Sequence, residues 1–289
     1  MKFTRFDQSN LFSELDELDI WLAGRGIKQR NRLRIYRENL FAMREREKNE
    51  DAAAIFAELQ KAGRLTEILA SYVEGLEIVD ALTFLRSAKV DIPDELLRRA
   101  LDGPADASHE SPKNNQGRNA MFELSIGAMF ARQNLQPKFS SENPDVEFEF
   151  EGRRVLVECK RVLAVNRTLP VISEGIRQLR TQVDISLSEV GLVAVNISRV
   201  FYRGDGLWEV PVNSDVHAIL SEMIRRFIKS NDDSILRKRD PAAMAALFYA
   251  AAPFRIEGLG YTPARGGTLC SFDLERNEFL ARLASSVKL

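Results

Sequence analysis

Residues 143–162, NPDVEFEFEGRRVLVECKRV, alternate apolar and charged side chains on both sides of one Glu-Gly step. A period of two interrupted by a turn dipeptide is the pattern of a β-hairpin. With Glu151-Gly152 as a two-residue turn, Phe150 pairs with Arg153, Glu149 with Arg154 and Asp145 with Glu158; a three-residue loop would offset Asp145 by one. Side-chain parity sends Val146, Phe148, Phe150, Val155, Val157 and Cys159 to one face, apolar apart from Arg153. Asp145, Glu147, Glu149, Arg154, Leu156, Glu158 and Lys160 go to the other. The run VLVEC is apolar enough to be central in a sheet, where charges are seldom placed unless they are used.

The chain around this hairpin changes style near residue 105. Residues 11–100 read as helices: LFSELDELDIWLAG, with Leu11, Leu15, Leu18 and Trp21 at helical spacing and Gly24 as a stop, then NRLRIYRENLFAMREREKN, DAAAIFAELQKAG, LTEILASYVEGLEIVDALTFLRSA and, after Pro93, DELLRRALDG. Residues 103–117 hold two Pro and two Gly with almost nothing apolar, a linker or exposed loop. Beyond it come a helix (RNAMFELSIGAMFARQN), a short strand (PKFS), the hairpin, a helix (PVISEGIRQLRTQVDISLSEV) and an apolar strand (GLVAVNISRV). Another helix (DVHAILSEMIRRFIKS) and two late strands (AAMAALFYAAAPF and TLCSFDL) complete an α/β order. The expected organisation is a helical domain over 1–104, for scaffolding, oligomerisation or target recognition, a linker over 105–117, and an α/β domain over 118–289.

Composition removes several classes of function. Two cysteines, Cys159 and Cys270, exclude a disulfide scaffold, and two histidines, His109 and His217, are too few for a histidine-based metal centre. No apolar run approaches the roughly 20 residues of a membrane helix. The start, MKFTRFDQSN, lacks the apolar core of a signal peptide. A cytoplasmic protein with no membrane partner is expected. The net charge is −1; residues 113–289 hold 24 basic against 21 acidic residues (+3) and residues 1–112 hold 17 against 21 (−4), so the second part is the better candidate to meet a polyanion. The motifs GxSxG, P-loop and GxGxxG are absent, and His217 reads as structural.

Asp145 and Glu158, opposed across the hairpin, would stand about 4.5–5.5 Å apart at Cβ, an unfavourable pairing of like charges. Lys160 follows about 6.6 Å along the same face. The bland account places both acids on a solvated face, paired with Lys160 and Arg154. The sharper one offsets them with a hard divalent cation, which takes oxygen ligands.

Pro144-Asp145, then Glu158-Cys159-Lys160 after a turn and behind a helix, resembles the PD-(D/E)XK nuclease superfamily over about residues 115–200. The resemblance implies a restriction-endonuclease-like fold, a mixed central sheet flanked by helices, preceded here by the all-α part. It implies that Asp145 and Glu158 bind Mg²⁺ (Mn²⁺ substituting), with the Cys159 backbone carbonyl completing the set, and that Lys160 orients or activates the attacking water. Mg²⁺ suits one or two carboxylates plus water and phosphate oxygens, and a lysine ammonium is a compact charge that shifts readily. Members often carry a metal-binding glutamate on the preceding helix. Glu123 has that place and is the only acid between residues 111 and 141; the alternative is a salt bridge to Arg118 or Lys160. Some members carry QxxxY on the following helix; here Gln178 is followed by Gln182 where the tyrosine would be. Gln178 either bonds a phosphate or scaffold carbonyl or is an ordinary helix-surface glutamine.

Arg161, Arg167, Arg177 and Arg180 are candidate phosphate contacts or solvated charges. In the helical part, Lys28, Arg30, Arg32, Arg34, Arg37 and Tyr36 suit a DNA-facing helix, but the acidic SELDELD just before them makes intramolecular pairing simpler. The activity expected is Mg²⁺-dependent phosphodiester hydrolysis, with DNA as the partner; cutting both strands from one site per chain calls for a homodimer or two events. The rival expectations are a non-catalytic nucleic-acid-binding or assembly module of the same fold, and a structural α/β protein.

Overall fold

The computed structural model describes residues 8–28, 31–50, 52–105, 109–111, 113–140, 144–184, 189–202, 208–231, 235, 240–257, 260–272 and 277–287. Arg30, Asn143, residues 106–108 and 112 of the expected linker, residues 185–188 of an expected helix and residues 273–274 of the last expected strand lie outside it.

Five helices come first: α1 (Gln8–Gly24), α2 (Asn31–Glu47), α3 (Ala52–Lys61), α4 (Leu65–Ser87) and α5 (Asp94–Ala100). The leucine spacing of α1 buries Leu11, Leu15, Leu18 and Leu22, and Pro93, extended at ψ 134°, starts α5. Then follow α6 (Gln116–Ala131), β1 (Lys138–Phe139), β2 (Val146–Phe150) and β3 (Arg153–Arg161). A 3-10 turn (Val165–Arg167) leads into α7 (Thr168–Leu179), β4 (Val190–Asn196), a single-turn α8 (Ser198–Phe201) and β5 (Trp208–Val210). The chain closes with α9 (Val216–Ser230), β6 (Ala245–Ile256), β7 (Gly260–Ser271) and α10 (Asn277–Val287).

The described strands form one mixed seven-stranded sheet in the order β1-β2-β3-β4-β6-β5, with β7 also on β6. β3–β4 and β4–β6 are parallel. β7 runs antiparallel along the whole of β6, and β5 joins its last three residues in parallel. An α/β protein with a mixed central sheet is therefore present. Three expected elements differ in extent. The strand expected over GLVAVNISRV stops at Asn196, and its last residues turn into α8, whose first amide, Ser198 N–H, bonds Asn196 Oδ1 (2.9 Å). α7 ends at Leu179 rather than running on to residue 190, because the chain tightens: the Thr181 hydroxyl and amide both bond the Gln178 carbonyl (2.8 and 3.1 Å), and the Gln182 amide bonds Leu179 (3.0 Å) in place of Gln178. β7 begins well before Thr268, the Gly266-Gly267 pair having broken the alternation that would have marked it.

Strand parity sorts the core. Val155, Val157 and Cys159 of β3, with Val190, Leu192 and Ala194 of β4, pack toward α6 and α10. Leu156 of β3, with Val193 and Val195 of β4, packs toward α7 and α9. Packing is continuous across residues 105–117: Ala120, Met121, Leu124, Ala128 and Ala131 of α6 belong to the same core as the leucines of α1, α2, α4 and α5. Polar ties cross as well. Arg118 of α6 donates to Glu74 of α4 (2.8 and 2.9 Å), which also accepts from Tyr36 of α2 (2.6 Å). Tyr249 of β6 donates to Glu77 of α4 (2.6 Å).

The basic stretch of α2 is used internally. Arg32 and Tyr36 are buried, Arg34 pairs with Glu38, and Arg37 pairs with Asp16 and Asp19 of α1. No described helix is long and apolar enough to cross a membrane.

Candidate active site

The hairpin has the expected register: Val146 faces Val157, Glu149 faces Arg154 and Phe150 faces Arg153. Glu151 and Gly152 both have positive φ (51° and 72°), as a type I′ turn requires. The bonded pairs counted from this turn are 150/153, 148/155 and 146/157, so the next would join residues 144 and 159. Residue 144 is proline and has no N–H to give the Cys159 carbonyl. The ladder stops there. The Cys159 amide donates instead to Asp145 Oδ2 (2.7 Å). Its carbonyl leaves the strand on the same side as its N–H, toward the same corner. Asp145 thus sits in a bend just before β2, held by the end of a broken ladder.

Glu158, one residue earlier on β3, points to the α7 face and is fully buried (0% exposed). A carboxylate so placed needs partners. It accepts from Gln182 Nε2 at Oε1 (2.9 Å) and from Lys160 Nζ at Oε2 (3.3 Å). Glu123 comes from α6 and is buried, its nearest cation being Arg99 of α5 at 3.7 Å. Arg118, an alternative partner for Glu123, is committed to Glu74.

The electrostatics join the three acids. Burial and then the neighbouring Asp145 push the Glu123 carboxyl up to about 8. Burial also raises Asp145, opposed by the Cys159 amide, Lys160 and Arg99. Glu158 is raised by burial and by Asp145, against the pull of Gln182 and Lys160. All three acids hold protons more tightly than usual, chiefly because burial disfavours their charged forms. The Cys159 thiol lies on the opposite, apolar face, where burial raises it well above its ordinary value.

A hard divalent cation fits the donor chemistry. The side-chain donors are carboxylate oxygens, and Gln182, whose Nε2 bonds Glu158, has a buried Oε1 without a hydrogen-bond partner. Among the described residues no three His, Cys, Asp or Glu side chains are grouped so that they could hold a metal ion; two carboxylates and a carbonyl, with water and phosphate making up the rest, are within the habit of Mg²⁺.

Asp145 is held on the Cys159 amide, Lys160 on Glu158 and Arg99 near Glu123, and the charge of Asp145 reaches both Glu158 and Glu123. Gln178 lies half-buried on α7, but the glutamine that touches an acid is Gln182, beyond the helix end. Its placement had one signal, its position four residues after Gln178. Arg99 was not legible as a site residue at all. Of the candidate phosphate contacts, Arg161 is committed to Glu110 and Arg180 to Asp240, whereas Arg167 and Arg177 are exposed. His217 bonds the backbone of Arg265, a structural role.

A cavity of about 440 Å³ lies elsewhere, between α4, α6, α9 and β7. Its charges are engaged with one another: Asp80 pairs with Arg132 and Arg265, and Glu77 accepts from Tyr249 and Ser125. None of the acids of the hairpin corner lines it.

Neither a scan against protein-family models nor a search of curated proteins finds a match to the chain.

Proposed function

We propose that the protein is a divalent-metal-dependent nuclease of the PD-(D/E)XK kind, acting on DNA. The observation that carries this reading is the Asp145 carboxylate fixed on the Cys159 amide, one residue from a buried Glu158 that is bonded by Gln182 and Lys160. Acids buried within electrostatic reach of one another are costly unless a cation is brought to them. Asp145, Glu158 and the Cys159 carbonyl would hold Mg²⁺ or Mn²⁺, with Glu123 adjacent. The ion, when bound, neutralises charge at the scissile phosphate.

The chain's own groups do the rest. Glu158 is oriented by Gln182 on one oxygen and Lys160 on the other. Lys160, half-buried beside the acids, orients the attacking water and stabilises the charge that develops on the phosphate. Arg167 and Arg177, exposed just after the site, are the arginines available to flanking phosphates.

The test is incubation of the purified chain with plasmid, short duplexes, single strands and RNA in Mg²⁺ or Mn²⁺. Cleavage that EDTA abolishes, and that Asp145→Ala and Lys160→Ala lose, is expected. Absence of cutting on every substrate, or variants as active as the parent, overturns the reading; salt-sensitive DNA binding without any cleavage would favour a non-catalytic binding module.

A further inference from the structure

The acid corner contains a cation that comes from the helical part of the chain. Arg99 stands near the C-terminal end of α5, and its Nη2 lies 3.7 Å from Glu123 Oε2. That is an ion-pair distance but too long for a hydrogen bond. Its Nε is buried and makes no hydrogen bond, while the side chain as a whole is 38% exposed. Other arginines near this corner are held differently. Arg118 donates twice to Glu74, and both terminal nitrogens of Arg161 reach Glu110. Arg99 is anchored by its backbone and loose at its tip.

The anchor is specific. A Cβ added to Gly117, in the first turn of α6, would lie 2.0 Å from the Asp102 carbonyl oxygen and 3.1 Å from that of Arg99. The end of α5 therefore rests directly on the helix that carries Glu123 six residues later. Arg99 is also felt by Asp145, whose carboxyl it pulls downward. Against three carboxylates the corner sets two cations, Lys160 and Arg99. One of them is tied to Glu158, and the other has donors to spare.

We propose that Arg99 is a substrate contact, its guanidinium binding a non-bridging oxygen of the phosphate next to the acid corner, so that the helical part of the chain completes the nuclease site. This rests on the nuclease reading given above. A planar guanidinium with uncommitted N–H groups matches two phosphate oxygens, which a lysine ammonium does not. The loose contact with Glu123 is given up when phosphate arrives.

The test uses the full chain and a fluorescently labelled 20-base-pair duplex, with anisotropy titrations in EDTA at several salt concentrations, single-turnover cleavage in Mg²⁺, and Mn²⁺ affinity by calorimetry without DNA. Arg99→Gln should weaken duplex binding about tenfold and lower the slope of log affinity against log salt by about 0.9. It should slow cleavage further without lowering Mn²⁺ affinity or the melting temperature. Arg99→Lys should recover the salt slope but only part of the cleavage rate. Unchanged duplex affinity and slope in Arg99→Gln overturns the proposal; if Mn²⁺ affinity or stability falls instead, Arg99 is a structural counterion of Glu123. If the parent itself neither binds nor cuts duplex, single strand or RNA, the nuclease reading has failed, and this one with it.

Discussion

Asp145 Oδ2 accepts the amide of Cys159 at 2.7 Å, at the point where Pro144 ends the hairpin ladder. One oxygen of the carboxylate is thus used to fix its position, leaving the other for chemistry. Asp145→Asn keeps an oxygen able to accept that amide but removes the charge. Cleavage should fall at least about a hundredfold, with denaturation curves in EDTA close to those of the parent. Asp145→Ala should lose the activity and also about 1–3 kcal/mol, the cost of an unpartnered amide. Initial rates and urea melts of both variants check this; an active Asp145→Asn would remove Asp145 from the metal set.

Glu123, held at about 8, makes stability depend on pH in a definite direction. Between its ordinary value of 4.5 and about 8 the folded protein keeps a proton that the unfolded chain has released. Stability from this group is therefore fullest below that window and is lost as pH rises through it. Glu123→Gln should match the parent near pH 5 and exceed it near pH 9 in EDTA. Added Mn²⁺ should stabilise the parent more as pH rises, since the ion competes with protons. Thermal melts across that range decide it, and a Glu123→Gln variant that follows the parent at every pH refutes it.

Gln182 is the amide donor to a carboxylate with no exposure of its own. Gln182→Leu leaves Glu158 Oε1 without that bond, so Glu158 should hold its proton still more tightly. Divalent-ion affinity should fall about 10–100-fold, and the rising limb of the pH–rate profile should move to higher pH. Calorimetry with Mn²⁺ gives the first and steady-state rates the second.

Arg118 offsets Glu74 in the interior, with Tyr36 on the same carboxylate. Burial opposes the charge on Glu74, and Arg118 then pulls its carboxyl below the usual range. Arg118→Met strands that charge and should cost about 3–5 kcal/mol. Arg118→Met combined with Glu74→Gln should recover much of the loss, which urea denaturation of the two variants measures.

Legibility in the sequence followed the range of the forces involved. The hairpin register could be read because a local turn with two positive-φ positions and a strict period of two leave little freedom. Glu158 and Lys160 share that local frame, so their contact could be read too. Gln182 could not be placed, because amphipathic spacing predicts a helix continuing past Leu179 where a threonine closes it. Arg99 was invisible for a different reason: residues 99 and 123 meet only because α5 seats on a glycine of α6, a contact that no periodicity encodes. The composition break near residue 105 was real as composition, yet the apolar residues of α6 beyond it answer to leucines that precede it.

That shared interior has a practical consequence for anyone cutting the gene. A fragment starting after residue 104 would carry α6 with Met121, Leu124 and Ala128 stripped of their cover, and Arg118 and Tyr249 robbed of their carboxylate mates. Such a truncation should come out of the cell as aggregate, and the sheet-bearing part will have to be studied with its helical companion attached.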